Sequence, residues 1–394
     1  MEAAAAETAR LRLQVLAFSL TRLVLFTAFR MVFPFLPEAA RGLGVGLEVA
    51  ALAVAARSAL GLAGPVLGSI ADARGRRWAI LLGLATFSAG MVLIALSPTY
   101  PSFLAGLLLS YAGEITFEAA MYAYLADRVP YERRGRALAP IEGTFSVAFL
   151  VGIPVVGWLT ARSGWNAPYG WLAAAGAAAA VMLRLLLPRD RLSPRGQPSL
   201  AAGLRRILSR RPAVAGMVVC LLFVSGIQSI NIIYGAWLEQ AFGLGPEALG
   251  LASTVIGAAG LAGVGLVALL TDRIGKRRAV AIGLIANVLA GLGLLALGKT
   301  LAGALILLFL FYLSFEFIIV SMLSLMSQFV PEARATMMAA TLAAISGGDA
   351  LGAAVGPLLF RGGLGLSALA AAALDLAALA VLWRWIPKDP EAKS

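Results

Sequence analysis

Residues 68–77 read Gly68-Ser69-Ile70-Ala71-Asp72-Ala73-Arg74-Gly75-Arg76-Arg77, and residues 272–278 read Asp272-Arg273-Ile274-Gly275-Lys276-Arg277-Arg278. Each is a short basic loop that follows one apolar run and precedes another. A second pair keeps nearly the same offset, about 200 residues: Asp127-Arg128-Val129-Pro130-Tyr131-Glu132-Arg133-Arg134-Gly135, then Phe329-Val330-Pro331-Glu332-Ala333-Arg334. One half of the chain repeats the other, so a single half built twice is the expected plan.

The segments between these loops identify the solvent. The 394 residues are 60% hydrophobic and 13% charged, with a mean hydropathy of +0.89. A soluble domain carries about 25% charged residues to cover its surface, so this surface is made for lipid. Apolar runs of spanning length, about 20 residues, occur at 13–36, 46–70, 78–97, 101–125, 138–161 and 167–187. Six more follow at 213–238, 247–270, 279–298, 301–328, 336–360 and 364–386. The expected fold is an all-α membrane protein, with twelve transmembrane helices in two pseudo-symmetric six-helix bundles. The bundles are residues 1–187 and 213–394, joined by a polar linker at 188–212 with a short amphipathic helix from Leu200 to Leu208, capped by Ser199. Repeated halves of this size imply a pseudo-two-fold axis along the membrane normal and a pathway between them.

With the N-terminus in the cytoplasm, the two tails, the even-numbered loops and the linker hold 25 of the 32 Lys and Arg residues. The odd-numbered loops hold only Arg41, Arg162, Lys299 and Arg361, and three arginines lie inside spans. This asymmetry predicts a multi-pass protein of the plasma (inner) membrane with both termini cytoplasmic. The net charge of +12 is thereby explained by topology, and no nucleic-acid partner is expected. The first run is too long for the apolar region of a signal peptide, so it is expected to stay as an anchor. The chain has no histidine and one cysteine, Cys220. That composition excludes imidazole triads, thiolate zinc clusters and histidine proton relays. No phosphate-binding Gly-x-x-x-x-Gly-Lys-Ser/Thr loop is present, which disfavours ATP-driven pumping. With no catalytic constellation either, neither an enzyme nor a cofactor is expected.

The paired loops resemble the signature of the major facilitator superfamily, Gly-x-Leu-x-Asp-Arg-x-Gly-Arg-Arg between its second and third helices. Gly68, Asp72, Gly75, Arg76 and Arg77 carry the first copy, with Ala73 where an Arg is expected. Asp272, Arg273, Gly275 and Arg277 carry the second, with Ala268 at the leading Gly position. Together with the span layout, the resemblance covers essentially the whole chain. It implies a monomeric secondary transporter that works by alternating access, with spans one, four, seven and ten lining a central cavity. It implies that Asp72 faces the start of span eleven near Thr336, where a carboxylate meets the helix dipole. Arg76 or Arg77 would then bridge to Asp127, forming a latch that holds the cytoplasmic side closed in one state. The structural alternative is that the loops only anchor topology. Gly152-Ile153-Pro154-Val155-Val156-Gly157 in span five resembles the Gly-Pro motif of the proton-coupled antiporter branch. One departure stands out: drug exporters of this branch carry an Arg in span four, four residues before a Gly. With Gly113 as that Gly the position is Leu109, so Arg22 of span one would stand in.

Nine ionisable residues fall inside spans: Arg22, Arg30, Arg57, Glu114, Glu118, Glu142, Glu316, Asp349 and Asp375. Each costs about 2.5–3.5 kcal/mol or more at the bilayer centre unless paired or wetted, which makes each a functional candidate. Arg22, Phe26 and Arg30 follow one stripe of span one; Tyr111, Glu114, Glu118 and Tyr122 follow one stripe of span four. In the family layout Arg22 or Arg30 faces Glu114 or Glu118, and Glu316 looks in from the other half. Span seven offers Gln228, Asn231, Tyr234 and Trp237, and span ten offers Phe311, Tyr312 and Phe315. Six acids against three arginines leave three carboxylates without an obvious partner, and a dry, unpaired carboxylate can carry a proton. Arg57 and Asp375 read as structural, while Glu142 and Asp349 fit either role.

These features favour proton-coupled export of an amphiphilic or drug-like small molecule, with protons and membrane lipids as the other partners. Glu114, Glu118 and Glu316 would serve as proton and substrate residues. The other readings are proton-driven uptake of a small anionic metabolite held by Arg22 and Arg30, lipid or lysolipid transport, and a membrane sensor or scaffold on the same fold.

Overall fold

A computed structural model describes residues 2–64, 67, 75–129, 131–188, 205–330 and 334–387, and their side chains except at 2–10, 131–136, 272 and 334–335. Gly68 and Asp72, the side chain of Asp272 and most of the 188–212 linker therefore lie outside the described residues; 205–208 form a helical turn. Eleven helices among the described residues are long and apolar enough to cross a membrane. The second span adds Leu47–Ala59 and the 3-10 turn Leu60–Ala63. Leu96 (80% exposed) and Leu185 (78%) are typical of the outer surface, which suits hydrocarbon and not water.

Local sequence explains where the helices start and break. Spans four, six, seven and eight begin with Pro101, Pro168, Pro212 and Pro246 in the first turn, where a missing N–H costs nothing. Spans three (Arg76–Leu96) and nine (Lys276–Leu297) are entered through Gly75 (φ 98°, ψ 153°) and Gly275 (φ 87°, ψ 144°). That region of backbone space is open essentially to glycine alone, so the two helix entries share a conformation as well as a sequence. Span one runs from Glu2 to Leu43, past the expected end at 36. Pro34 and Pro37 sit inside it, tolerated because neighbouring helices shield the freed carbonyls.

Four spans are interrupted. Span two tightens into its 3-10 turn at Leu60–Ala63. Span five loosens into a π-turn at Ala148–Gly152, directly before Pro154, whose missing N–H breaks the ladder. Span seven divides into Arg211–Asn231 and Tyr234–Phe242, and span eight into Pro246–Ala252 and Thr254–Ile274. The hydroxyls of Tyr234 and Ser253, one at each break, lie 3.0 Å apart.

The packing repeats like the sequence. Spans three and four pack as nine and ten do, three and six as nine and twelve, one and six as seven and twelve. Between the halves, span two packs on eleven, five on eight, and the end of one on the end of seven. The described contacts of this seam lie at mid-depth and on the side away from the chain termini. Gly157 there faces the backbone of Pro246 and Gly250, and Gly235 backs onto the carbonyl of Pro34. Two ion pairs cross on the same side, Arg41 to Glu239 and Arg361 to Glu48, both 2.7 Å, with Glu38 as a second partner of Arg41. Among the described residues, the contacts that join the halves thus gather at mid-depth and on the far side.

A side chain at residue 235 would collide with the Pro34 carbonyl, so Gly235→Val should force the far-side seam apart. Spin labels at Ala161→Cys and Glu247→Cys, on the facing segments of spans five and eight, should report a longer distance population in that background than in the parent.

Candidate functional site

Arg22 in the middle of span one is 6% exposed and donates to three acceptors. Its Nε donates to Glu118 Oε1 at 2.9 Å, and its Nη1 donates to Glu142 Oε2 at 3.2 Å and to the Ile141 carbonyl at 2.7 Å. Tyr122 donates to the other Glu142 oxygen at 2.6 Å. The one-turn spacing of Glu118 and Tyr122 on span four sets both on the face that meets spans one and five. The rings of Phe26 and Tyr122 lie 4.6 and 5.9 Å from the guanidinium. Of the two partners expected for Arg22, the structure supplies Glu118 and adds Glu142.

Arg30, two turns along the same stripe, has a different setting. Four rings surround its guanidinium: Phe145 at 5.1 Å, Phe29 at 5.2 Å, and Phe33 and Phe149 at 6.0 Å each. Among the described residues it makes no ion pair, and its Nε has no hydrogen-bond partner. Arg57 approaches the same rings from span two, 4.0 Å from Phe29 and 5.5 Å from Phe33. It is 1% exposed and donates through Nη1 to the Phe29 carbonyl at 3.0 Å, while Nε and Nη2 lack partners. Arg57 is therefore drawn into the centre and is not confined to the periphery.

Three carboxylates face these cations. Glu114 comes from span four, Glu316 from span ten and Asp349 from span eleven, and none makes a hydrogen bond or ion pair among the described residues. Arg30 acts electrostatically on all three, and Arg57 acts on Glu114 and Asp349. Tyr111 belongs to this group through its ring contact with Phe29 at 5.3 Å. The wall opposite is a polar ladder: Tyr312 donates to Asn231 at 2.7 Å, and Asn231 donates to Gln228 at 2.9 Å. Tyr234 bonds to Ser253 behind it. Asp375 is not brought to this centre; it is buried in span twelve, which packs on spans seven and nine.

The residues of the paired loops divide by function. Arg76 lies 3.5 Å from Asp127, linking the start of span three to the end of span four. Arg77 donates to the Arg184 carbonyl at 2.6 Å, and Arg277 donates to the Trp383 carbonyl at 3.1 Å. Each clamps the last turn of the sixth helix of its own half, where a cation also meets the negative end of the helix dipole. Arg273 is exposed. The aromatic collar of Arg30 and the cross-seam pairs of Glu239 and Glu48 were not anticipated. The four-residue spacings 29/33 and 145/149 were the available signal for the collar; the ion pairs join residues about 200 and 300 positions apart and had none.

Comparison with known proteins agrees with this architecture. A family model described as Major Facilitator Superfamily matches residues 18–353 and 226–394. The uncharacterized MFS-type transporter YwfA of Bacillus subtilis (strain 168) is 26% identical over 269 residues, covering 66% of this chain and 65% of that protein. The chloramphenicol resistance protein of Streptomyces lividans is 26% identical over 246 residues, 62% of each chain. The matches thus span slightly less than two thirds of both relatives. Among solved structures, the nucleoside transporter NupG superimposes with a TM-score of 0.78 at 15% identity, covering 95% of this chain and 98% of the other.

Removing Arg22 strands two acids in the membrane interior. Arg22→Met should lower stability by about 1–3 kcal/mol, between the values for exposed and buried pairs because Glu142 is half-exposed. Adding Glu118→Gln to Arg22→Met should recover part of the loss in a thermal unfolding assay; a double variant less stable than the single would contradict a compensating pair.

Proposed function

The chain belongs to the major facilitator superfamily, and from that premise we propose that it exports an amphiphilic, drug-like small molecule in exchange for protons. The halves 1–187 and 213–394 would rock about the seam described above, with both termini in the cytoplasm as the distribution of basic residues supports. One observation carries the reading. Glu114, Glu316 and Asp349 come from both halves, all lie within the electrostatic reach of Arg30, and have neither hydrogen bonds nor ion pairs among the described residues. A carboxylate left without a partner in such a place is suited to take up and release a proton. Phe29, Phe145, Tyr111 and Tyr312 give the cavity the apolar and aromatic lining that amphiphiles require.

The direction of export draws support from relatives such as the chloramphenicol resistance protein. Uptake of an anionic metabolite has one observation in its favour, the missing ion pair of Arg30. Arg22, the other cation assigned to that role, is already engaged by Glu118, Glu142 and a carbonyl. In the exporting state Arg22 holds spans one, four and five together, and Glu118 is the acid it positions.

Reconstitution with an imposed pH gradient tests the proposal. Efflux of a lipophilic compound should be coupled to protons moving the opposite way, and Glu316→Gln or Asp349→Asn should reduce proton-driven transport at least tenfold while the protein remains folded. Protons moving with the compound would establish symport, and full activity in Glu114→Gln, Glu316→Gln and Asp349→Asn alike would remove the carboxylates from the mechanism.

A further inference from the structure

We propose that the side-chain amide of Gln228 is a hydrogen-bond donor held open for the substrate, and that the compound carried is an uncharged amphiphile with an acceptor oxygen such as a carbonyl. The inference rests on the transport reading above and specifies its substrate class.

The donor ends a chain of hydrogen bonds that runs one way. Tyr312 of span ten donates to Asn231 Oδ1 at 2.7 Å, and Asn231 Nδ2 donates to Gln228 Oε1 at 2.9 Å. Tyr312 makes no other hydrogen bond among the described residues, so its proton sets which way the Asn231 amide faces. Asn231 in turn orients Gln228. Both amide oxygens are thereby used, and the last group of the chain, Gln228 Nε2, is left without a partner. Gln228 is 3% exposed, so bulk water does not serve it. A buried donor in that position has lost its hydrogen bonds to water and gained none in return, which folded proteins seldom tolerate. The two bonds upstream polarise the amide and make its free N–H a stronger donor than an isolated one.

The chain of bonds lies on the inner wall of the second half. Gln228 and Asn231 are one turn apart on span seven. The stem of Gln228 rests against span eleven at Gly352, where an added β-carbon would come within 2.7 Å of Gln228 Cβ. Tyr312, at the other end, and Tyr234 lie within the electrostatic reach of Arg30 in the opposite half. The hydroxyl of Tyr234 is taken up by Ser253 at 3.0 Å. What these side chains of spans seven and ten leave open is therefore one N–H.

A single N–H selects among ligands. A buried water makes about three hydrogen bonds, and this wall supplies it one. An ionised oxygen is held best by a cation or by several donors at once, and the wall has neither. A cation would meet the positive end of the N–H dipole. A carbonyl oxygen is satisfied by one donor, and the rest of an amphiphile asks only for apolar and aromatic surface.

Photolabelling of the full chain in nanodiscs with benzophenone, whose carbonyl is both acceptor and reactive group, tests this. The label should fall on spans seven, ten and eleven. Three tricyclic competitors of similar shape, compared at equal concentration in the lipid, then read the chemistry of the site. Fluorenone carries an acceptor, carbazole a donor and fluorene neither. On wild type, fluorenone should suppress labelling at a concentration roughly five- to tenfold lower than fluorene, the ratio that one net hydrogen bond supplies. Carbazole should match fluorene. On Gln228→Met, which keeps the length and removes the amide, all three should compete equally; wild type carries the test alone if this variant does not fold. Equal competition on wild type overturns the proposal and gives the donor to a water. A preference for carbazole overturns it by reversing the chain of bonds. A preference for fluorenone that survives Gln228→Met places the donor elsewhere and overturns it too, as does labelling confined to other spans. Each of these outcomes leaves proton exchange standing, since the vesicle assay decides that separately.

Discussion

Hydrocarbon supplies no hydrogen bonds, so every backbone group within the bilayer must find its partner inside the protein. This constraint makes the chain helical, and it also dictates where helices are allowed to break. The four interrupted spans are two, five, seven and eight, and all of them belong to the seam between the halves. The 3-10 turn of span two lies against span eleven, where Gly61 backs onto Ser346. The π-turn of span five lies against span eight, and the break in span seven sits beside the end of span one. Irregular backbone is thus gathered where the two halves meet. A seam made of broken helices and close glycine contacts has little side-chain interdigitation to undo, which suits surfaces that must separate and close again.

The same scarcity of water sorts the buried charges. Arg22 is held by two carboxylates and a carbonyl and behaves as a brace among spans one, four and five. Arg30 and Arg57 share aromatic rings, repel one another, and face carboxylates that stay out of contact. A static protein would gain by closing those gaps into ion pairs, since an unpaired buried charge is among the costliest features a fold can carry. Leaving them open makes sense for a cavity whose occupant and protonation change during the cycle.

The repeat, the spans and the stripes of charge were legible in the sequence because they depend on local composition and a fixed period. The pairing of Arg22 with a span-four acid followed from two stripes, 22/26/30 and 111/114/118/122, meeting across adjacent helices. Less was legible where position depends on the packing of distant segments. Arg57 read as structural because spans are assigned to the cavity as whole helices, yet span two packs against spans four and eleven and sets Arg57 against Phe29 and Phe33. Phe145 and Phe149 gave a spacing but no direction, since the π-turn that sets their facing appears only once Pro154 has neighbours. Glu48 and Glu239 are ordinary loop acids until the halves close on the far side and give each an arginine.

The paired basic loops illustrate how one motif can serve two scales. Gly75 and Gly275 adopt a backbone that other residues resist, and the arginine two positions later in each copy reaches a carbonyl at the end of the sixth helix of its own half. The start of the third helix of each half is therefore fastened to the end of the sixth before any contact between bundles is considered. A gate needs such a base, because a latch residue transmits force only if the helix that carries it does not yield. Arg76 and Asp127 add a link between spans three and four at the same level. The symmetry of the clamps gives each bundle the same internal brace, set apart from the glycine contacts and ion pairs that join one bundle to the other.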